Sequence, residues 1–263
     1  MLRIILWTVT LACLLVSYTA QSANSFDDVR IVTGVSLGYS DFSFPEKLDH
    51  DISFPSINVP IGLTKENWQL SVNLSSTLDD ADISEEEDTG KASRQDLDFT
   101  LGYRVSKTWS IFTGYKYGKT KMRFAPRDFE EGDDISMLTN EDYSQKGPFL
   151  GASYSWIFEK AGRVSLSIAY ASLNATNNIA AKTDDEEEEQ EEIEFDDLTG
   201  QVDGDTKGFS YGISWTMPLS SNLLFQSRFK VNDYQQDIVS NGVRFENIDE
   251  TFTSLHIGLA YVF

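Results

Sequence analysis

The chain has 263 residues, 42 acidic and 21 basic, and its formal net charge at pH 7 is −21. A balance this acidic excludes nucleic acid as a partner, because phosphate backbones are bound by basic surfaces. The single cysteine, Cys13, lies in a segment that we expect to be cleaved off. We therefore predict a mature protein without disulfides, thiolate metal sites or a cysteine nucleophile.

Residues 1–23 are predicted to be a secretory signal peptide. Arg3 supplies an early positive charge, an apolar run follows over residues 4–16, and small residues stand near the end. These features predict cleavage after residue 20 or 23. This apolar run is short for a membrane-spanning helix, and no other segment has the long apolar run that such a helix needs. We therefore expect residues 24–263 to be the mature protein, and any membrane crossing there to be made by strands.

Apolar residues alternate with small or polar ones in ten later segments, a period that is typical of strands with one apolar face. The predicted strands cover residues 31–40, 57–63, 68–74, 97–105, 109–117, 150–156, 164–170, 209–217, 223–231 and 255–263. An even number suits a barrel whose two ends lie on the same side. Pro60 removes a ladder donor from the second strand, so eight or twelve strands remain open.

The connections between these segments alternate between short and long. Short turns are predicted at residues 65–67, 106–108, 159–163 and 218–222. Long polar connections are predicted at residues 45–54, 79–93, 125–145, 177–206 and 235–249. The alternation is typical of an outer-membrane barrel, with short turns in the periplasm and long loops outside. Loops 79–93 and 177–206 are strongly acidic.

Four tryptophans mark one rim of the predicted barrel. Trp68, Trp109, Trp156 and Trp215 each lie within a few residues of a different short turn. Tryptophan prefers the interface between membrane and water. A soluble sandwich gives no reason for this placement, so we predict that the four form a membrane-interface girdle.

These features resemble the bacterial outer-membrane β-barrel class, through the signal peptide, the alternating strands and the ending on Tyr261 and Phe263. The resemblance implies an all-β fold, a transmembrane antiparallel up-and-down β-barrel in the lipid of the outer membrane. It also implies that the final strand carries a signal read by the barrel-assembly machinery during biogenesis. That assembly signal would consist of Leu255, Ile257, Leu259, Tyr261 and Phe263.

The inward face of the predicted strands is mostly small, and few of its positions are charged. The charged and imidazole side chains predicted to line the lumen are Asp98, Arg104, Lys116, Arg228, Lys230 and His256. Barrels of eight strands are filled by side chains and much larger ones are open, so ten strands leave two functions open. Small inward residues favour a narrow porin-like channel for small hydrophilic solutes, which is our first prediction. Long loops favour a plugged barrel displaying them for surface binding, adhesion or envelope integrity.

The segment 184–205 carries thirteen acidic residues and no basic one. Such runs repel themselves and are usually solvated, and neither acidic loop follows the residue order of an EF-hand. We predict no cofactor and no specific metal site. Weak binding of divalent cations could occur at Asp184, Asp185, Glu186 and Glu187.

Only two histidines are available for catalysis. His50 lies between Asp49 and Asp51, and Ser254 and His256 share the inward face of the last strand. Outer-membrane proteases and acylases use an Asp-His pair or a Ser-His arrangement. The predicted strands are too short for the tall protease barrel, and no second acidic pair is placed opposite His50. We therefore predict that the chain is not an enzyme.

Deleting Phe263 is expected to impair membrane insertion, because the deletion removes the terminal aromatic group of the assembly signal. The measurement is the level of heat-modifiable barrel in isolated outer membranes. Phe263→Tyr, which keeps an aromatic ring, is the matched control. Normal levels of the truncated protein would contradict the assembly role.

Overall fold

The computed structural model describes residues 29–43, 52–85, 88–126, 139–180, 200–240 and 243–263. Eleven β-strands occupy most of these ranges. They are β1 (Val29–Ser43), β2 (Ile52–Lys65), β3 (Trp68–Thr77), β4 (Ala81–Glu85), β5 (Asp88–Arg104), β6 (Trp109–Pro126), β7 (Thr139–Phe158), β8 (Gly162–Ala180), β9 (Gly200–Pro218), β10 (Leu223–Ser240) and β11 (Val243–Val262). Within the described ranges there is no helix that is long and apolar enough to cross a membrane. The predicted signal peptide lies outside them.

Ten strands close into one antiparallel ring. Neighbours in sequence pair with one another except β3 and β4; β1 pairs with β11, and β3 pairs with β5 from Trp68↔Tyr103 to Ser76↔Gln95. The predicted strand number and the up-and-down barrel are therefore confirmed. β4 was not predicted; it lies outside the ring and pairs with the first residues of β5, from Ala81↔Ala92 to Glu85↔Asp88.

The strands are longer than predicted on the side of the long connections, and the predicted loop bounds there are wrong. β7 begins at Thr139 rather than near residue 150, and β10 and β11 occupy most of the predicted loop 235–249. β4 and β5 enter the range 79–93, and β8 and β9 enter the range 177–206. The physical reason is that backbone pairing continues above the membrane. There the outward face meets water, so the apolar alternation that reveals a strand in the sequence is lost.

Pro60 lies inside β2 without ending it. On the side of β1, the pairs Thr33↔Ile61 and Ser36↔Asn58 share one register, and the two pairs between them are missing. On the other side Pro60 pairs with Asn73 of β3. Because proline lacks only the N–H group, its effect is a local gap and the strand number is unchanged.

The outward face of the ring carries an apolar belt. Large side chains such as Leu37, Tyr39, Ile213 and Ile257 are 57%, 64%, 48% and 51% exposed. A soluble protein would not leave a continuous ring of such residues in water, whereas a barrel in lipid requires one. The belt therefore marks the height at which the barrel meets the membrane.

The barrel is taller than its belt. β7 has 20 residues, and at about 3.3 Å per residue it is about 65 Å long. A tilt of about 40° reduces this to about 50 Å along the barrel axis, roughly twice the apolar band of about 25 Å. The ring therefore continues above the membrane on the exterior side, where the outward residues are polar.

Replacing Ile213 with Arg is expected to destabilise the barrel by about 2–4 kcal/mol, because it puts a charge on the lipid face. The measurement is urea unfolding of the protein folded into phospholipid vesicles. Gln235→Arg, at an exposed position of β10 that pairs with Lys207 and Asp249 above the belt, is the control and should change stability little. Equal stability of the Ile213→Arg variant and the wild type would show that Ile213 does not face lipid.

Candidate functional site in the barrel interior

Side chains fill the half of the lumen that lies towards the cell exterior, on the side of the long connections. A cluster of buried apolar residues lines it, and every one is at most 8% exposed: Phe42, Ile52, Phe54, Ala81, Ala92, Met122, Phe124, Tyr143, Ala175 and Phe252. Ala81 is on β4, and the other nine are on seven of the ten ring strands, β1, β2, β5, β6, β7, β8 and β11, so the cluster joins two sides of the ring. Together with the polar network described next, they form what we call the upper layer.

The polar part of the upper layer connects β7 with β10 and β11. The Tyr143 hydroxyl donates to Glu250 Oε2 at 2.5 Å and lies 3.2 Å from Gln236 Oε1. Gln145 Nε2 donates to the Tyr143 hydroxyl and to the same Glu250 oxygen. All four side chains are buried. These bonds reach from one wall to another, so they bridge the lumen.

Arg94 of β5 joins this layer from a third side. Its guanidinium donates to both carboxylate oxygens of Asp96, at 3.0 to 3.2 Å, and to Thr120 Oγ1 at 3.0 Å. It also lies 5.1 Å from the ring centroid of Phe42 and 4.4 Å from that of Phe252. Paired charge and aromatic faces together compensate the burial of this cation.

Below the upper layer lies a polar cavity of about 400 Å³. It extends to the short turns, where Asn67, Arg104 and Arg163 line both it and a smaller recess beside Lys107. By the topology of these barrels, this is the periplasmic end. The predicted lumen residues Asp98, Arg104, Lys116, Arg228, Lys230 and His256 all line this cavity.

Contacts across the cavity show how narrow the ring is. Lys230 of β10 forms a 2.8 Å ion pair with Asp98 of β5, on the opposite wall. Lys116 of β6 donates to Asn232 Oδ1 at 3.1 Å and to the Tyr234 hydroxyl at 2.9 Å, both on β10. Opposite walls of a ring of ten strands are thus within reach of two side chains.

Aromatic side chains cover glycines on one wall of the cavity. Phe112 faces Gly151 across β6 and β7, and Phe149 faces Gly114 two pairs further along. A Cβ at either glycine would lie 2.5 Å from the facing ring. The two rings pack edge to face with centroids 6.3 Å apart. The wall is therefore close-packed and cannot take larger residues at these glycines.

Five basic residues and one acidic residue line the cavity: Arg104, Lys116, Arg163, Arg228 and Lys230 against Asp98. Arg163 was not predicted, because it falls in a predicted turn. Arg163 is two and four residues from the inward-facing Ser165 and Ser167, and this even spacing would have identified it as a residue that faces inward. The upper-layer residues Arg94, Tyr143, Gln145 and Glu250 were also missed. They lie outside the predicted strands, where only a continued count of alternate residues would have placed them inward.

Ser254 and His256 are both buried on the inward face of β11, but the hydrogen-bond partner of His256 is a serine of another strand. His256 Nε2 lies 2.9 Å from Ser56 Oγ on β2, and Ser56 Oγ lies 3.1 Å from Ser40 Oγ. Among the described residues, no carboxylate is hydrogen bonded to His256 to orient it as a base. His50 with its two neighbouring aspartates lies outside the described ranges, and so do the four acidic residues suggested for cation binding.

The predicted height of the barrel was also wrong, and with it one reason against a protease. Six of the ring strands have 18 to 20 residues. The tall form of the barrel is therefore present. The height of the barrel is therefore no longer an argument against a protease.

The four girdle tryptophans lie at strand ends beside the short turns. They point outward and are 36% to 52% exposed. Three of them pack edge to face with a cross-strand neighbour: Trp68 with Tyr103, Trp109 with Tyr154, and Trp215 with Phe225. Trp215 Nε1 also donates to the Ala161 carbonyl at 2.7 Å. The residues of the predicted assembly signal, Leu255, Ile257, Leu259, Tyr261 and Phe263, are likewise exposed and outward-facing.

Solved structures similar to this barrel are bacterial outer-membrane proteins. The outer membrane protease OmpT from Escherichia coli is 12% identical with a TM-score of 0.54, over 92% of this chain and 99% of that one. The chain has the fold of a bacterial outer-membrane β-barrel protein. The fold and the exposed apolar belt together place it in the outer membrane.

Other barrels similar to this chain have less similar structures. The translocator domain of the autotransporter NalP from Neisseria meningitidis is 12% identical, with a TM-score of 0.48 over 97% of this chain and 95% of that one. The attachment invasion locus protein Ail of Yersinia pestis is 10% identical, with a TM-score of 0.38 over 90% and 99%. No family model and no curated protein matches the chain. At such identities the likeness concerns the fold alone, and function must be argued from the interior.

Replacing Arg94 with Leu is expected to destabilise the barrel by about 3 kcal/mol, at the low end for breaking a buried ion pair, because Asp96, whose side chain is 18% exposed, loses the cation that compensates it. Arg244→Leu is the matched control. Arg244 also pairs with two acids, Asp237 and Glu246, but its side chain is 60% exposed, so its loss should cost far less. Urea unfolding in lipid vesicles measures both variants. Equal losses would mean that water reaches Arg94.

Proposed function

We propose that this protein is a closed outer-membrane barrel that presents a binding surface on the cell exterior. The observation that carries the proposal is the upper layer. Tyr143, Gln145, Gln236 and Glu250 are hydrogen bonded to one another across the lumen and buried beside a cluster of aromatic rings. A hydrated solute would have to break this network to pass. The geometry therefore favours the plugged barrel over the open channel.

The extension of the ring above the belt supports the surface role. Backbone pairing continues there, and exposed ion pairs join neighbouring strands, such as Lys91 with Asp82 and Lys119 with Asp142. A paired cylinder of this kind puts the described exterior ends of the strands well clear of the lipid. The connection between β8 and β9 is rich in Asp and Glu. Cationic partners, including basic peptides, polyamines and divalent cations, are therefore the chemistry that we propose for the surface.

A porin-like channel for small hydrophilic solutes is the second candidate. It is favoured by the polar cavity of about 400 Å³, which occupies the interior below the upper layer. Conduction would require the upper layer to move aside. The two candidate functions therefore differ in whether the hydrogen bond between Tyr143 and Glu250 breaks under physiological conditions.

We also propose that the chain is not an enzyme. The candidate pair of Ser56 and His256 has a hydrogen bond of 2.9 Å, but a serine nucleophile also needs a base that a third group orients. Among the described residues, none with a carboxylate takes this role. The argument concerns the barrel interior, where the pair lies.

Single-channel conductance in a planar bilayer tests the closed barrel. The refolded wild type is expected to give no discrete steps, and the double variant Tyr143→Ala/Glu250→Ala is expected to give them, because it removes the centre of the network. Lys91→Ala/Asp82→Ala, which removes an exposed exterior ion pair, is the matched control and should stay silent.

Two results would contradict the proposal. Discrete steps from the wild type would show an open lumen and favour the porin-like channel. A silent double variant that folds, as judged by heat-modifiable gel migration, would show that the network is not what closes the barrel.

A further inference from the structure

The cavity on the periplasmic side has a charge opposite to that of the whole chain. The chain has a formal charge of −21, yet five basic side chains and one acidic side chain line this cavity. Like charges repel one another where the walls of a cavity hold them close together. Such a concentration of cations is expected only where an anion compensates it.

The deeper cations are only partly compensated by the protein. Lys230 forms an ion pair with Asp98 at 2.8 Å. Arg228 donates to the neutral amide oxygen of Asn73 at 2.8 Å. Lys116 has only an amide oxygen and a phenol as acceptors. These three cations therefore share a single carboxylate, that of Asp98, which forms its ion pair with Lys230.

The two arginines near the turns have no acidic partner within the described part of the chain. Arg104 lies at the end of β5 and Arg163 at the start of β8, both half-buried. They line both the main cavity and the recess at its mouth. Each guanidinium carries five N–H donors in a planar fork that matches carboxylate and phosphate oxygens. Two forks at one mouth form a receptor for an oxyanion.

The size of the cavity limits what could bind. A volume of about 400 Å³ lies at the small end of the range for ligand pockets, which is about 300–1,000 Å³. Serine and amide side chains, such as Ser110, Ser153 and Gln226, supply neutral donors between the cations. The site is therefore suited to a small, polar molecule with more than one negative charge.

We propose that this cavity is a binding site for a small multivalent oxyanion, entered from the periplasm, with Arg104 and Arg163 as the first contacts and Arg228 beneath them. Phosphate esters and polycarboxylates share the required chemistry. The site goes beyond the surface role proposed above, and it does not depend on whether the upper layer opens.

Isothermal titration calorimetry of the refolded protein in neutral detergent tests the site. The probes are pyrophosphate, citrate and, as an uncharged control, glucose. At low salt, pyrophosphate or citrate is expected to bind and glucose is not, and binding should weaken as salt is raised. The oxyanion that binds more tightly identifies the phosphate or the carboxylate class.

Two arginine variants give the site its sharpest test. Arg104→Gln and Arg163→Gln are each expected to weaken binding about tenfold or more, because each removes charge-assisted hydrogen bonds. Arg123→Gln, at an exposed exterior position of β6, is the matched control and should bind as the wild type does. Heat-modifiable gel migration confirms that each variant is folded.

Failure of this site is distinguishable from failure of the surface role. A folded wild type that binds neither oxyanion, or variants at Arg104 and Arg163 that bind as well as the wild type, would overturn the site. Tyr143→Ala/Glu250→Ala is expected to retain binding, since the cavity lies below the upper layer. If this folded variant lost binding, the cavity alone would not be the site.

Discussion

A backbone that crosses lipid has no water to satisfy its N–H and C=O groups, so each strand must be paired on both edges. In this protein two contacts between strands that are not neighbours in sequence complete that pairing. β1 pairs with β11 across the ends of the barrel, and β3 pairs directly with β5. The second contact leaves no place in the ring for β4, which pairs with β5 above the apolar belt instead. The ring of ten strands and its single additional strand follow from closure.

The width of that ring determines what the interior can be. Ten strands bring opposite walls close enough for Lys230 to reach Asp98 and for Tyr143 to reach Glu250. Large side chains therefore fill the lumen wherever they occur on opposite walls, as in the upper layer. Serine and glycine on the lower part of the same strands leave a cavity. One geometry thus accounts for both the closed exterior half and the open periplasmic half.

Charge is distributed unevenly along the barrel. Acidic residues dominate the connections on the exterior side, whereas cations dominate the cavity near the short turns. Lys230 is paired with Asp98, whereas Arg104 and Arg163 have no acidic partner among the described residues and are the proposed first contacts of an anion. A cationic partner outside and an anionic ligand inside are therefore compatible with one molecule, because the upper layer separates the two regions.

The membrane-embedded part of this protein can be predicted from its amino-acid sequence. Lipid on one side and a polar lumen on the other impose a period of two on every strand, as in residues 31–40 and 255–263. The same parity placed Asp98, Arg104 and Lys116 on the inner wall. A pattern over a few residues is enough to predict these features. The environment of each residue depends only on its position along the barrel axis and on whether it faces the lumen or the lipid.

The exterior half of the barrel and the contacts across the lumen could not be predicted in this way. Above the belt the outward face is polar, so no periodicity revealed β4 or the inward side chains Arg94, Tyr143 and Glu250. His256 meets Ser56, 200 residues away, rather than Ser254 on its own strand, because the register across β1, β2 and β11 brings those side chains together. Whether the lumen is open or filled depends on which side chains meet across the ring. Those side-chain contacts depend on how the ring closes and on the register between its strands. They cannot be predicted from the spacing of residues along one strand.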